Sequence, residues 1–288
     1  MINSKKEVTI VIISHKSKKK VIKLIRNISN QLKIIIVENS QDKSIEKELS
    51  NFKGNVELIF SENNGYGSAI NLARTRVTTK YFFVLNPDMQ KIDDKLINVF
   101  YNSAKELNDN FGALGPRFEN VSEKSHKQSN ISEEYGQIES ISGSAMFFCS
   151  EVFDKNGRFD ENFFLYFEET DYCYRSNKNN FKIYQINSQK VHHEIGTSVE
   201  TSGEEELNKL KKLYAWHFIW SKFYYYRKRY GRLTSLILFF PTLLRIILRI
   251  FLNVVTGNKK NKLKYKIRLN GLVSSIKNNR SYKRIEDF

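Results

Sequence analysis

Polar side chains that could take part in chemistry follow several short apolar runs of this sequence. Asp88 comes soon after the apolar run Tyr81–Leu85 and directly after Pro87, which restricts the backbone there. A carboxylate in such a place can coordinate Mg²⁺ or Mn²⁺, since these ions take few protein ligands and complete their shell with phosphate oxygens and water. Asn86-Pro87-Asp88 also forms ordinary turns. The motif alone therefore leaves a metal ligand and a simple turn as alternatives.

A second candidate for a metal ligand is the adjacent pair His192 and His193, at the end of a short strand predicted at Lys190–His193. The chain has five histidines, and His192 and His193 are adjacent. A histidine after a strand can bind a metal ion or form hydrogen bonds within a loop. Both interpretations stay open on the sequence alone.

The densest acidic cluster is Glu168–Asp171, at the start of a helix predicted from about Phe167. Asp171 and Arg175 are one helical turn apart and can pair, and acidic residues in a first turn also favour the helix dipole. The apolar run before the cluster places its carboxylates beside an apolar wall, where burial can tune a general base. The cluster is thus open to a structural and to a catalytic interpretation.

These side chains need a scaffold, and the first 116 residues predict one. Apolar, β-branched or aromatic runs alternate with helix-like stretches, which is typical of a parallel sheet covered by helices on both faces. The predicted strands are Val8–Ser14, Lys33–Glu38, Val56–Phe60 and Tyr81–Leu85, and the predicted helices are Lys18–Asn30, Ser44–Asn51 and Ser68–Val77. Ligands of such sheets bind beyond the carboxyl ends of the strands. The polar clusters expected together at that edge are Ser14-His15, Glu38-Asn39, Glu62–Gly65 and Asn86–Asp88.

The next part of the chain gives weaker signals. Arg117–Glu139 is polar and is predicted as a loop over the same edge. Further predicted elements are a strand at Ile141–Cys149, a turn at Asn156-Gly157 and strand pieces near Phe181–Ile186 and Lys190–His193. Glu62–Ala69 opens a helix after a strand, a position that suits a phosphate or a hydroxyl-rich ligand, but it lacks the glycine fingerprint of a dinucleotide site.

Composition excludes several classes of protein. Hydrophobic residues make up 40% and aromatic residues 13% of the 288 residues, which is enough for a core and excludes wholesale disorder. Cys149 and Cys173 form no CxxC pair and fit buried thiols in a reducing compartment better than a zinc site or a disulfide. The apolar run near the N-terminus is about half a membrane span, so it is predicted as a first strand.

The net charge of +16 is concentrated in the last part of the chain. From Leu207 onward there are 20 basic and 2 acidic residues, whereas the first 206 residues carry 27 basic and 29 acidic ones. Such a separation predicts an anionic partner for the tail. It also predicts a globular domain at residues 1–203 and a helical, basic, membrane-associating region at residues 204–288.

The tail is predicted to contain helices at Glu204–Tyr230 and Leu233–Val255, followed by a basic, partly helical end at Asn258–Arg284. In the apolar second helix, Arg245, Arg249 and Asn253 form one polar stripe. A spanning helix would bury both arginines, whereas an interfacial helix would place them among lipid headgroups. We favour the interfacial helix on an anionic membrane, because it keeps both arginines out of the hydrocarbon. A nucleic-acid partner is the weaker alternative, because it would leave the apolar helix without a role.

Taken in order, these pieces resemble the inverting family 2 glycosyltransferases of GT-A fold, especially the bacterial rhamnosyltransferase-like branch. The resemblance runs from Val8 to about Ser198, with weaker similarity through Gly231. Its blocks are Val8–His15, Ile36–Ser40, Asn64–Asn71, Leu85–Asp88, Ile141–Ala145, Gly157–Glu161, Phe167–Asp171 and His193–Ser198. One block alone would be weak, whereas the whole set in the right order is specific. The implied fold is a Rossmann-like, mainly parallel α/β sheet with helices on both faces.

The resemblance implies a role for individual residues. It implies a general base at Glu169 and a Mg²⁺ or Mn²⁺ ion held by Asp88 and His193. Contacts with nucleotide or substrate are implied for Ser14, His15, Glu38, Asn64, Gly65, Asn71, Asn86, Gly143 and Ser144. The chain departs from the family pattern at three of these positions, since Asn86 replaces the first Asp of the DxD motif, Glu169 replaces an Asp, and His15 replaces a Tyr.

The implied reaction is displacement at the anomeric carbon of a nucleoside-diphosphate sugar by an acceptor hydroxyl, with an oxocarbenium-like transition state. One base without a second, nucleophilic carboxylate implies a single displacement with inversion. The resemblance suggests dTDP-rhamnose first and UDP-hexoses next as sugar donor, with a lipid-linked or polysaccharide acceptor at the cytoplasmic face of a bacterial membrane. Two alternatives stay open: a nucleotidyltransferase or pyrophosphohydrolase, and a non-catalytic scaffold at the membrane.

Overall fold

The computed structural model describes residues 4–50, 52, 55–120 and 133–288. The chain forms two compact units. The first unit comprises residues 1–160 and 168–200, and the second comprises residues 161–167 and 201–288. The sequence predicted one boundary, after residue 203. It gave no sign that residues 161–167, which lie between two blocks of the first unit, belong to the second.

The first unit contains one sheet, which has nine strands within the described residues. Its parallel half consists of β1 (Val8–Ser14), β2 (Lys33–Glu38), β3 (Asn55–Phe60) and β4 (Tyr81–Leu85), in the spatial order β3-β2-β1-β4. These are the four strands that the sequence predicted, to within one residue. Every side chain of β1 and β4 is buried, as expected for strands covered on both faces. The parallel registers bring Ser14, Glu38 and Phe60 together at the predicted edge.

The remaining strands form a mixed half: β5 (Met89–Gln90), β6 (Phe111–Phe118), β7 (Tyr135–Ile138), β8 (Ala145–Cys149) and β9 (Lys182–His193). Strand β8 joins the two halves, because it pairs antiparallel with both β4 and β6. Strand β9 pairs parallel with β6 and antiparallel with β5 and β7. The mainly parallel sheet predicted for this chain is therefore confirmed, with antiparallel pairs added in the mixed half.

Several predictions for the mixed half were wrong. The segment Arg117–Glu139 was predicted as a loop, but Arg117 belongs to β6 and residues 135–138 form β7. Residues 121–132 of this segment lie outside the described residues. The predicted strand pieces near 181–186 and 190–193 are one strand, β9, and the strand predicted from Ile141 begins at Ala145.

Strand β6 gave no strand signal because packing requires small residues in it. A Cβ atom on Gly112 would lie 1.7 Å from Ser176 Oγ, and one on Gly115 would lie 2.7 Å from Ile141 Cγ2. A β-branched side chain, the usual mark of a strand, has no room at either position.

Helices cover both faces of the sheet. They are α1 (Ser4–Glu7), α2 (Lys18–Ile25), α3 (Ser44–Leu49), α4 (Tyr66–Arg74), α5 (Asp94–Glu106), α6 (Ser150–Lys155) and α7 (Glu168–Lys178). Alternate residues of β1 enter different apolar cores: Ile10 faces the core that includes helices α2, α3 and α5, whereas Val11 faces the core that includes α4 and α7. Cys149 and Cys173 are both buried and form no disulfide within the described residues, in line with the prediction of buried thiols.

The predicted helices of this unit were correctly placed but too long at their C-terminal ends. The predicted Lys18–Asn30, Ser44–Asn51 and Ser68–Val77 correspond to α2, α3 and α4. Helix α5 was not predicted. Its N-cap residue, Asp93, accepts a hydrogen bond from the Leu96 backbone N–H at 2.8 Å, and its apolar side is buried.

The second unit consists of α8 (Glu204–Tyr230), α9 (Arg232–Val255) and α10 (Lys259–Ile276), followed by a short 3₁₀ turn at Ile285–Asp287. Helices α8 and α9 match the predicted ones to within one residue. The three helices share an apolar core that includes Phe223, Phe239 and Leu272. Residues 161–167 pack on α8, where the Ser221 hydroxyl donates to the Leu165 carbonyl at 2.7 Å.

Candidate active site

Asp88 and His193 are brought together by the shortest strand of the sheet. Strand β5 begins directly after Asp88, and its first residue, Met89, pairs with His193 at the end of β9. His193 Nε2 lies 3.3 Å from Asp88 Oδ1, and both residues are buried. The Ser198 hydroxyl donates to Asp88 Oδ2 at 2.6 Å. The structure thus places the two residues predicted as metal ligands side by side.

The main chain of His193 is fixed from its other side by Asn120. The Asn120 amide nitrogen donates to the His193 carbonyl at 2.7 Å, and its amide oxygen accepts from the His193 N–H at 3.2 Å. The sequence analysis missed Asn120 and the contact of Ser198 with Asp88, because only the folded chain brings them to this site.

The Asp88–His193 pair has the properties of a site for a divalent cation. Apart from the 3.3 Å contact of Asp88 Oδ1 with His193 Nε2, the buried atoms Asp88 Oδ1 and His193 Nδ1 have no hydrogen-bond partner within the described part of the chain. Burial opposes ionisation of Asp88, but the neighbouring His193 and Ser198 outweigh it, so the pKa of Asp88 lies below its ordinary value. A charged carboxylate beside an imidazole is a donor set that suits Mg²⁺ or Mn²⁺.

The protein itself would supply few of the ligands. Residues 4–50, 52, 55–120 and 133–288 contain no group of three or more His, Cys, Asp or Glu side chains that could hold a metal ion. A cation at Asp88 and His193 would therefore take most of its ligands from phosphate and water, which is the usual mode for Mg²⁺. The residues present fit a cation that arrives with a phosphorylated ligand.

Ser14 and Glu38 lie at adjacent strand ends of the same edge. The Glu38 carboxylate is buried and accepts hydrogen bonds from the hydroxyls of Ser14 and Ser40, and from the Ser40 N–H at 2.6 Å. Two carboxylate oxygens have about four acceptor sites, so one site is left for a ligand. The structure brings these two predicted residues together, and the contact of Glu38 with the nucleotide stays a prediction.

The other predicted binding residues lie in the loops of this edge. His15 directly follows Ser14 and donates its N–H to Ser17 Oγ at 3.2 Å. Asn64 is exposed, and Gly65 precedes α4 with a φ of 109°, which favours glycine. The Asn86 N–H donates to the Ser144 carbonyl at 2.8 Å, so these two residues are adjacent across the two halves of the sheet.

Tyr66 is a site residue that the sequence analysis did not select. It is the first residue of α4, and its hydroxyl donates to the Gly143 carbonyl at 2.6 Å. A Cβ atom on Gly143 would lie 3.7 Å from Glu169 Cγ and 3.8 Å from Tyr66 Cε1, so Gly143 lies between these side chains. The only signal in the sequence is an aromatic residue between Gly65 and Gly67, and it names no partner.

The Tyr66 hydroxyl is surrounded by negative charge. Burial, followed by the charges of Glu168, Asp88 and Glu169, raises the pKa of Tyr66 well above its ordinary value. The hydroxyl therefore stays protonated and acts as a donor. The pKa of Tyr66 thus depends on the charge of the predicted metal ligand Asp88 and on the charges of Glu168 and Glu169 in the acidic cluster.

Glu168 and Glu169 are neighbours in different environments. Glu168 is buried, and its Oε2 has no hydrogen-bond partner among the residues that the structure describes. Burial, and then the charge of Glu169, raises the pKa of Glu168 well above its ordinary value. Glu169 is half-buried, and its Oε1 accepts from the Thr170 hydroxyl at 3.0 Å. Two carboxyl groups in such different surroundings can divide the roles of acid and base, with the charged form disfavoured at Glu168.

Asp171 and Arg175 pair as predicted. Arg175 Nε donates to Asp171 Oδ2 at 2.9 Å, and the Asp171 side chain is buried. The same guanidinium also donates to the backbone carbonyls of residues 156, 157 and 158. The pair therefore fixes the predicted Asn156-Gly157 turn, which the structure confirms with a φ of 78° at Gly157.

Asn71 has a structural role in this unit. Its amide nitrogen donates to the Phe159 carbonyl at 3.0 Å, and its amide oxygen accepts from the Phe159 N–H at 3.1 Å. Both ends of the amide thus hold the turn before α7. The ligand contact that the resemblance implied for Asn71 stays a prediction.

Comparison with known proteins identifies the family. Residues 9–230 match the family model "Glycosyl transferase family 2". The match includes the sheet except for its first residue, together with Asp88, His193 and the acidic residues of α7. The chain therefore belongs to glycosyl transferase family 2.

Individual relatives are more distant. The low-salt glycan biosynthesis hexosyltransferase Agl10 of Haloferax volcanii is 25% identical over 139 residues, which cover 42% of this chain and 44% of that protein. The chain thus spans less than half the length of this curated relative.

Two solved structures share the fold. GalNAc-T7 with UDP, GalNAc and Mn²⁺ aligns with a TM-score of 0.55 at 10% identity, over 77% of this chain and 50% of that one. S. aureus TarS 1–349 in complex with UDP-GlcNAc aligns with a TM-score of 0.53 at 13% identity, over 96% and 93%. Together with the family match, these similarities confirm the predicted GT-A-like α/β fold.

Proposed function

We propose that the protein is a metal-dependent, inverting glycosyltransferase that moves a sugar from a nucleoside-diphosphate donor to an acceptor hydroxyl. Family membership supports glycosyl transfer. The observation that carries the metal-dependent mechanism is the buried pair of Asp88 and His193, in which Asp88 Oδ1 lies 3.3 Å from His193 Nε2 and has no other partner in the described residues. This pair lies at the sheet edge where a phosphorylated ligand is expected.

Residues at the carboxyl ends of the parallel strands, together with His193 of the mixed half, would bind the sugar donor. Asp88 and His193 would hold the cation, with Ser198 and Asn120 keeping their side chain and main chain in place. A divalent cation bound there would neutralise the charge that builds on the diphosphate leaving group. Ser14 and Glu38, at adjacent strand ends, would bind the nucleoside.

Glu169 would act as the general base. The acceptor oxygen forms a bond to the anomeric carbon while the bond from that carbon to the diphosphate oxygen breaks, and the nucleoside diphosphate leaves with the electron pair. The acceptor proton passes to Glu169. Glu168 is the less suitable base, because burial and the charge of Glu169 raise its pKa above its ordinary value and so disfavour its charged form. A single displacement of this kind inverts the anomeric configuration.

Two classes of sugar donor should be tested first. The motif resemblance favours dTDP-rhamnose. The similar structures favour UDP-hexoses, since TarS was solved with UDP-GlcNAc and GalNAc-T7 with UDP, GalNAc and Mn²⁺. The hexosyltransferase relative, which is named for glycan biosynthesis, also fits a hexose donor.

The acceptor is proposed to be a lipid-linked or polysaccharide glycan in bacterial surface polysaccharide synthesis, at the cytoplasmic face of the membrane. The motif resemblance supports this class. So does the composition of α9, the helix among those described that is long and apolar enough to cross a membrane.

The proposed function is tested by incubating the full chain with dTDP-rhamnose or a panel of UDP-hexoses in the presence of a lipid-linked or polysaccharide glycan acceptor. Release of nucleoside diphosphate that requires Mn²⁺ or Mg²⁺ and stops with EDTA is expected, with Asp88→Ala as the inactive control. Release of pyrophosphate or a nucleoside monophosphate would identify a different enzyme. Metal-dependent binding of these donors without turnover would instead identify a non-catalytic scaffold.

A further inference from the structure

Helix α9 presents a large apolar face that no described residue covers. Eleven of the seventeen exposed large apolar side chains in the described residues lie on this helix. The most exposed are Leu233, Ile237, Phe240, Leu248, Phe251 and Val255, each between 55% and 77% exposed. We call these six residues, which recur along the whole length of α9, its outer face. Soluble monomers rarely expose contiguous apolar surface of this size.

The opposite side of α9 packs in the apolar core of the second unit. Phe239 and Ile246 are buried one heptad apart and pack in the core with Phe223 of α8 and Leu272 of α10. A helix on the surface of a soluble bundle normally has a polar outer side. In α9, apolar residues occupy both the inner and the outer side, so the outer face needs an apolar environment of its own.

Charge indicates what covers the outer face. Helix α10, which packs on α9 in the same core, carries Lys259, Lys260, Lys262, Lys264, Lys266 and Arg268. From Leu207 onward the charge balance is +18. A second copy of this chain would bring the same positive charge against it, which is repulsive. Anionic lipid supplies hydrocarbon for the outer face and negative charge for the lysines.

We propose that the second unit binds anionic membranes monotopically. The outer face of α9 enters the boundary between headgroups and acyl chains, Arg245 and Arg249 lie at headgroup level, and α8 and α10 remain on the aqueous side. This inference goes beyond the proposed function and does not depend on it.

The packing of the second unit argues against a helix that spans the membrane. Helix α9 has 24 residues, about 36 Å, so its length alone would allow a span. Leu243, Ile246 and Ile250 of α9, however, share a core with Tyr265, Leu269 and Leu272 of α10. If α9 crossed the bilayer, it would take Lys264, Lys266 and Arg268 with it. Charged side chains at that depth are strongly disfavoured.

Membrane binding is tested by cosedimentation of the full chain with phosphatidylcholine vesicles, with and without phosphatidylglycerol. Binding to the anionic vesicles is expected, and it should weaken as salt rises. The double variant Phe240→Glu/Phe251→Glu should lower the partition coefficient by about tenfold or more, because two side chains lose their burial in lipid. The matched control Phe240→Leu/Phe251→Leu keeps the face apolar and should bind like the wild type.

Two outcomes of this experiment would overturn the proposal. One is that the glutamate variant binds anionic vesicles as well as the leucine variant does, with both folded by circular dichroism. The other is that the wild type ignores vesicles and forms a dimer that the glutamate variant dissociates, which would make the outer face an interface between copies.

Topology is tested with single cysteines at the two ends of α9, Arg232→Cys and Thr256→Cys. Both positions are exposed, and the native Cys149 and Cys173 are buried, so background labelling should be low. In sealed membrane vesicles from cells that express the full chain, an impermeant maleimide should label both cysteines from the same side. Labelling of the two cysteines from opposite sides would show a spanning helix. Neither result depends on sugar transfer, so a failure here is distinct from a failure of the proposed enzyme.

Discussion

The parallel half and the mixed half of the sheet are built from different kinds of sequence. The strands of the parallel half are continuous apolar runs whose ends carry Ser14, Glu38 and, soon after β4, Asp88. The mixed half contains β6, with two glycines and a proline, and the two-residue β5. His193 belongs to this half, and Gly143 and Glu169 lie in the chain segments that connect its strands. Regular strands thus place most of the residues proposed to bind the sugar donor, whereas irregular elements place His193 and the proposed base.

Contacts between the halves make the two sets of residues one site. Met89 pairs with His193, and the Asn86 N–H donates to the Ser144 carbonyl. Helix α4, which covers the parallel half, adds the Tyr66–Gly143 and Asn71–Phe159 contacts. Substitutions on either side of this division, or in the contacts across it, should therefore have separable effects.

The largest effect is expected for Asp88→Ala. This change removes the carboxylate that would hold the cation, so metal-stimulated nucleoside diphosphate release should be abolished. Asp88→Asn is the matched variant, because its amide oxygen can still accept from Ser198 while the charge is lost. Both variants should keep a wild-type far-ultraviolet circular dichroism spectrum. A wild-type response to Mn²⁺ or Mg²⁺ in either would remove Asp88 from the metal site.

The next largest effect is expected for Glu169→Gln, on the side of the mixed half. Glutamine keeps the size of the side chain and cannot accept the acceptor proton, so kcat should fall by about 10²–10⁴-fold. Glu168→Gln and Asp171→Asn are the controls, and both should retain far more activity. If Glu168→Gln loses turnover while Glu169→Gln keeps it, the base is Glu168 and the alignment with the family is one residue out.

Asn71→Ala should act on stability. The change leaves the buried Phe159 N–H and carbonyl without their partners, so the free energy of unfolding should fall by about 1–3 kcal/mol. Urea unfolding measures this difference. Asn64→Ala, the same substitution at an exposed position just before α4, should change the free energy of unfolding by less than about 0.5 kcal/mol. Equal losses in the two variants would show that the Asn71 contact contributes little.

Tyr66→Phe should have a smaller, purely positional effect. It keeps the ring and removes the hydrogen bond to the Gly143 carbonyl, beside Glu169. Loss of one such bond, about 1 kcal/mol, should lower kcat by roughly fivefold to tenfold and leave KM for the sugar donor unchanged. Tyr101→Phe, which removes a hydroxyl that contacts Glu7 away from the site, is the control. A change in KM alone would assign Tyr66 to donor binding instead.

The smallest effect on turnover is expected for Glu168→Gln, which instead changes the pH dependence of stability. Because the folded state raises the pKa of Glu168, the stability that its neutral form contributes is lost as pH rises above the ordinary value of 4.5. Glutamine is neutral at every pH. The stability of the variant relative to the wild type should therefore increase from pH 4.5 toward neutral pH in urea unfolding. A relative stability that falls over this range would mean that Glu168 is charged in the folded protein.

The amount of the fold that the sequence could predict follows the same division. The parallel half could be predicted because each strand is a continuous apolar run bounded by polar residues. Strand β6 could not be predicted, because Gly112 and Gly115 are needed where the side chains of Ser176 and Ile141 leave no room for a Cβ atom. Ser176 and Ile141 are distant from these glycines in sequence. The pairing of β5 with β9 involves only two residues of β5, too few for a periodic pattern.

The candidate site was predictable to the extent that motifs could be aligned. The proximity of Asp88 and His193 was implied by the family resemblance, and the structure shows it. The Tyr66–Gly143 contact joins residues 77 positions apart, and the Asn71–Phe159 contact joins residues 88 positions apart. No local pattern marks such pairs. The Asp171–Arg175 pair was predictable, because its two residues are only four positions apart and therefore face each other on one helix.

The division of roles between the two halves is tested most directly by the affinity for the sugar donor in the presence of Mn²⁺, measured by calorimetry on Asp88→Asn and Glu169→Gln. The screen for turnover would first supply the sugar donor. Glu169→Gln should bind it with the affinity of the wild type, because the base is needed only for transfer. Asp88→Asn should lose the Mn²⁺-dependent part of the binding. Wild-type binding by Asp88→Asn, or equal loss of binding in both variants, would contradict the assignment of donor binding to the Asp88–His193 pair and of proton transfer to Glu169.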